Sequence, residues 1–153
     1  MLVHQLTKAK KALDAVSDYD GIDFAYAVFK NKKLIDNKLM EVDFIKNVSP
    51  QIVEYENKRV SLCEEFAQKD DNGIPMIEDD LYVIEDKETF RNKMDELFEQ
   101  YKPFIVKRQE QIDLFNVKMN QQVDLPFVKL TKEQIPPQIT TAKELEDISF
   151  MIE

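Results

Sequence analysis

Apolar residues recur at alternating steps of three and four along two long stretches of this chain, residues 37–68 and 87–122. In the first they are Val42, Ile45, Val48, Ile52, Tyr55, Leu62 and Phe66. In the second they are Phe90, Met94, Leu97, Tyr101, Phe104, Ile112, Phe115 and Met119. That period keeps one face of a helix apolar, and a sustained seam of this kind asks for a facing partner. The two stretches therefore predict a mainly α protein built on a long antiparallel helical hairpin. Folding the arms back on each other sets Phe66 against Phe90, Leu62 against Met94, Tyr55 against Tyr101, Ile52 against Phe104 and Val42 against Phe115. Pro50 and Pro103 then fall nearly opposite. Ser49-Pro50 predicts either a kink in the first arm or a tight restart, with Ser as N-cap and Pro in the first helical turn. Pro103 removes a helix hydrogen bond in the second.

The arms are joined by a short acidic turn near residues 69–86. Asn72-Gly73 supplies a left-handed position and Pro75 stops a helix. Met76-Ile77 and Leu81-Tyr82-Val83-Ile84 are apolar enough to pair as a tiny β-hairpin across Glu78-Asp79-Asp80. Asp86 reads as the N-cap of the second arm, with Glu88 in its first turn.

Short helices flank the hairpin. Leu6, Ala9, Leu13 and Val16 predict one over residues 3–17, and Asp18-Tyr19-Asp20-Gly21 ends it in a turn. A second starts near Asp23, with Phe24, Ala27, Val28 and Phe29, and closes near Lys30-Asn31-Lys32-Lys33; a strand over residues 25–29 is the alternative. Residues 123–130 read as extended. Thr131 opens one helical turn that Pro136-Pro137 stops, and Thr141 caps a last helix bearing Leu145, Ile148 and Ile152. The expected organisation is a single domain, residues 1–153. It comprises short helices over 1–36, the hairpin over 37–122, and an extended tail with a C-terminal helix over 123–153.

Charge sharpens this picture. The net charge is −9, and residues 65–99 hold twelve acids against four bases. Such a chain repels nucleic acid and anionic membranes unless its basic N-terminal face acts locally, so neither is an expected partner. The plain account is an acidic solvated surface; the sharper one is mimicry of phosphate charge. No apolar run reaches transmembrane length and no signal peptide is expected. Cys63 is the only cysteine, which excludes an internal disulfide.

Residues that carry chemistry are scarce. His4 is the only histidine, and two glycines cannot build a phosphate loop. Asp70, Asn72 and Gly73 fit places three, five and six of a calcium loop. Gln68 and Asp79 at places one and twelve fit it poorly, and a tight Asx turn accounts for the same residues. The acids Glu64, Glu65, Asp95, Glu96 and Glu99 lack the histidines of a di-iron bundle. No enzyme activity and no cofactor are expected. The aromatic stripe Phe90, Phe98, Tyr101, Phe104 and Phe115 reads mostly as core. Arg59 and Arg108 stand where each seam asks for an apolar residue. Their stems either pack while the heads reach water, or they form a polar site that fixes register or receives an acid. Together with Glu78, Asp79 and Asp80 they are the candidate interaction residues.

The run through Pro50, Tyr55, Arg59 and Phe66, then Lys69-Asp70-Asp71-Asn72-Gly73-Ile74-Pro75, then Tyr82, Phe90 and Met94-Asp95-Glu96-Leu97, carries a resemblance. So does the ending Glu144-Leu145 with Phe150-Met151-Ile152-Glu153. Together these resemble a family of short tailed-bacteriophage and prophage proteins of unknown function, marked by a K-D-x-x-G-x-P turn between two charged helices. The resemblance covers about two-thirds of the chain. It implies a phage source, a helical hairpin and no catalytic residues. The expected role is a phage-encoded protein–protein interaction or assembly protein, in the host cytoplasm or the virion. Its partner would be a virion component, a host protein or a further copy of itself. An acidic inhibitor of a host defence or nucleic-acid-handling enzyme is the alternative.

Overall fold

Ser49 and Pro50 divide the first seam. In a computed structural model covering residues 1–153, Ser49 is an extended N-cap whose side chain accepts from the Ile52 N–H, and Pro50 is the first helical residue. The restart is thus the observed solution, and Pro50 kinks nothing because its missing N–H would have had no helical partner. The first arm shortens accordingly to Pro50–Phe66. Residues 37–40 instead complete the preceding helix, Ile22–Met40, and a 3₁₀ turn, Asp43–Lys46, follows it.

The elements in order are α1 (Val3–Ala15), α2 (Ile22–Met40), α3 (Pro50–Phe66), β1 (Ile77–Glu78), β2 (Leu81–Tyr82), α4 (Lys87–Met119) and α5 (Ala142–Asp147). Short 3₁₀ turns occupy Lys132–Gln134 and Ser149–Met151. The fold is mainly helical with one two-stranded antiparallel sheet. The contacts divide it into two compact units, residues 1–46 with 113–153, and residues 47–112.

The first unit holds the main core. Leu6, Ala9, Leu13 and Val16 bury one side of α1, as their spacing predicts. Phe24, Ala27, Val28 and Ile35 face them from α2, a helix rather than the alternative strand. Phe29 lies outside this face and is exposed. Gly21 precedes α2 at φ 112°, a conformation that side chains disfavour. The chain from Val123 to Leu130 has no regular element, but Val123, Leu125, Phe127 and Val128 pack on the core. Asn31 of α2 is wholly buried and holds that segment, donating to the Val128 carbonyl at 3.0 Å and accepting from its N–H at 2.8 Å. Leu130 then bridges in parallel to Ile152. Thr141 caps α5 by a reciprocal capping box with Glu144; Ile148 and Met151 are buried, while Leu145 is exposed.

In the second unit, α3 pairs with the part of α4 up to Ile112. The ring centroids of Tyr55 and Tyr101 lie 5.8 Å apart, and those of Phe66 and Phe90 5.9 Å apart, both as the seam register predicts. Tyr101 also accepts from Lys58 Nζ at 2.8 Å. The interior is thin: only Ala67, Leu97 and Tyr101 are buried. The expected aromatic core is corrected here. Phe98 and Phe104 are exposed, because two helices alone cover one face of each other and leave the rest to solvent. The helix α4 runs unbroken through Pro103.

Candidate functional site

The connector between α3 and α4 is wound tightly by its own backbone. Gln68 donates to Val83, Met76 to Gln68, Val83 to Met76, and Glu85 to Phe66. Asp70 closes the Lys69–Pro75 turn. One of its carboxylate oxygens accepts from the N–H groups of Asn72 and Ile74, both at 2.9 Å, and Gly73 takes φ 77°. The Asx-turn account of this sequence therefore describes the geometry. No group of three or more histidine, cysteine or acidic side chains is placed to hold a metal ion.

Beyond that turn, β1 and β2 form the tip. Ile77 pairs with Tyr82 and Glu78 with Leu81. Asp79 and Asp80 make the two-residue turn with φ of 49° and 62°, the left-handed pair that a tight hairpin of matching twist requires. The hairpin expected across Glu78-Asp79-Asp80 thus forms, with Glu78 inside the first strand. Asp86 caps α4 by accepting from the Thr89 N–H at 3.1 Å. Hydrogen bonds from the Thr89 side chain and backbone hold its carboxyl below the usual carboxylate range.

The tip combines two properties. Leu81 is 71% exposed, Ile74 60% and Ile77 58%. The carboxylates of Asp71, Glu78, Asp79 and Asp80 form no ion pair. Behind them an open groove of about 710 Å³ runs between the β-hairpin and the start of α4. Leu81, Val83, Phe90 and Met94 form its apolar lining, with Glu78, Asp79, Lys87 and Arg91 also along it.

The structure places the candidate residues in three locations within this unit. Glu78, Asp79 and Asp80 sit together at the tip. Arg59 lies mid-way along α3, half exposed, with Nε donating to Glu56 at 2.9 Å. Arg108 donates to Gln111 beside a smaller groove of about 300 Å³ that also includes Ile52 and Phe104. The two arginines are not gathered with the acids. Each engages a neighbour on its own helix, and neither is fully buried.

A second apolar face of α2 escaped the sequence pattern. Ile22, Tyr26, Phe29 and Met40 are all exposed. They recur at helical spacing on the side opposite Phe24, Ala27, Asn31 and Ile35. The signal was present at Ile22, Tyr26 and Phe29, but closing the helix near Lys33 hid its length. No known protein family, characterised protein or solved structure matches this chain.

Proposed function

We propose that this chain is a non-enzymatic interaction or assembly protein that binds protein partners through its helical hairpin, with the tip as the contact surface. The observation that carries the reading is that Ile74, Ile77 and Leu81 are all exposed near the tip, Leu81 on one ribbon face with Glu78 and Ile77 on the other, beside acids (Asp71, Glu78, Asp79 and Asp80) that form no ion pair. Exposed apolar side chains grouped with charge favour protein contact over solvent. The resemblance to short tailed-phage proteins supports a phage source and a role beside virion components.

Two experiments test this. Mass spectrometry of purified particles of the encoding phage should detect the chain, and its absence overturns a virion role. Cross-linking within infected cells should join residues 74–82 to a partner protein, and Leu81→Asp should abolish that cross-link.

The second reading, an acidic inhibitor of a host nucleic-acid-handling enzyme, draws on the unpaired carboxylates of Glu78, Asp79 and Asp80. Reversing all three charges should abolish capture of such an enzyme. Capture that survives the reversal sinks mimicry.

A further inference from the structure

The helix α2 is apolar on two opposite sides, and only one of them serves the core. On the outer side Ile22 is 88% exposed, Phe29 62% and Tyr26 55%. The cations on and beside this row differ in their engagement. Lys32 pairs with Asp14 and Lys10 pairs with Asp36, while Asp23, near the start of the row, accepts only from the Gln134 side chain. Lys30 lies over the Tyr26 ring, 5.7 Å from its centroid, and neither it nor Lys33 forms an ion pair. A groove of about 530 Å³ flanks the row, with Phe29 and Lys33 in its wall. This face is apolar, and its unmatched positive charge lies toward the Lys30 and Lys33 end of the row, away from Asp23.

The hairpin tip is its complement. Leu81 and Glu78 are directly cross-strand, so they share one face of the ribbon, and the turn carboxylates of Asp79 and Asp80 lie beside them. A two-stranded ribbon is about 5 Å between strand axes. The stretch of α2 from Ile22 to Lys33 is about 16 Å long at the helical rise. One ribbon therefore fits across the row with room for its side chains.

We infer that the outer face of α2 receives the hairpin tip of a second copy of this chain, Leu81 seating against Phe29 and Tyr26 while Glu78 meets Lys33. This rests on the reading of the tip as the contact surface and names what it contacts. The two surfaces are different, so the contact is heterologous: each copy offers one tip and one α2 face, and association does not stop at a dimer unless a ring closes.

Sedimentation of the full chain over a wide concentration range tests the inference. The wild type should show a weight-average mass that rises with concentration, past the dimer unless two copies exchange tip and face reciprocally. Phe29→Asp and Leu81→Asp should each weaken association by about tenfold or more. An equimolar mixture of these two variants should form a one-to-one dimer, because the intact tip of the first fits the intact α2 face of the second. Lys33→Glu and Glu78→Lys should each weaken association, and the double swap in one chain should restore it. Circular dichroism matching the wild type confirms that each variant is folded. A wild type that stays monomeric throughout overturns the inference, as does association indifferent to these changes. Cross-linking of residues 74–82 to another protein by a monomeric wild type would leave the tip reading standing while removing this partner.

Discussion

The Asn31 side-chain amide satisfies both backbone hydrogen-bonding groups of Val128, ninety-seven residues away. It acts as a substitute strand partner for a segment with no sheet beside it. Asn31→Ala leaves a buried N–H and a buried carbonyl unmet, and urea unfolding should show a loss of about 2–4 kcal/mol. Asn31→Asp has a distinctive pH signature. The ionised acid keeps the bond from the Val128 N–H but opposes its carbonyl, so its folded-state pKa rises. Its contribution is therefore present at low pH and lost as pH rises through that pKa. This variant should be more stable relative to wild type at pH 4 than at pH 7; equal offsets at both would show that the amide does not bridge Val128.

Pro50 and Pro103 should respond differently to the same substitution. At the first position of α3, Pro50→Ala should change stability by less than about 1 kcal/mol, through the unfolded chain. Ser49→Ala beside it should cost about 1 kcal/mol by removing the cap. Inside α4, Pro103→Ala restores a donor toward the Glu99 carbonyl and should stabilise by up to about 3 kcal/mol. Denaturant midpoints of the three variants decide the matter.

The hairpin register is tested at Tyr55 and Tyr101. Tyr101→Ala should cost about 3 kcal/mol, since this is one of three buried side chains in its unit. A double-mutant cycle with Tyr55→Ala should return a coupling of about 0.5–1.5 kcal/mol. Additive losses would mean that the rings do not meet.

Acid should weaken the wild type through its caps. Hydrogen bonds from Thr89 depress the Asp86 carboxyl, and those from the Thr141 side chain and then the Thr141 and Thr140 backbone depress Glu144. For a depressed carboxyl, stability is fully present above the unfolded value, about 4, and is lost as pH falls through the folded one. Thermal midpoints should fall below pH 4, and Asp86→Asn with Glu144→Gln should flatten that fall while preserving cap geometry. Lys58 has the opposite sign. Glu54 first, then Tyr101, raises its ammonium to about 12, so its contribution persists below the unfolded value and disappears as pH climbs through 12.

The seam between α3 and α4 was legible because Tyr55, Phe66, Phe90 and Tyr101 follow a local period that needs no distant information. Asp86, Thr141 and the strands around Asp79-Asp80 were legible for the same reason: caps and turns are short-range chemistry. Asn31 was not legible. Its burial depends on Val128, and within Lys30-Asn31-Lys32-Lys33 it reads as part of a polar stop. The helix continues because Asn31 faces inward while Leu34, Ile35 and Leu39 resume the apolar pattern. The thinness of the second unit was legible only in outline. The seam period leaves out Phe98, but it cannot say that Phe104, beside Ile52, stays partly in solvent.

Two aspartates in left-handed backbone at the hairpin turn are an unusual choice, since an Asn-Gly dipeptide fits the same geometry with less strain and no mutual repulsion. A population of variants selected for thermal endurance alone should accumulate Asp79→Asn and Asp80→Gly. A population selected in the native setting should keep both acids. The divergence between those two lineages at this one dipeptide would measure how much of the turn belongs to folding and how much to what the tip meets.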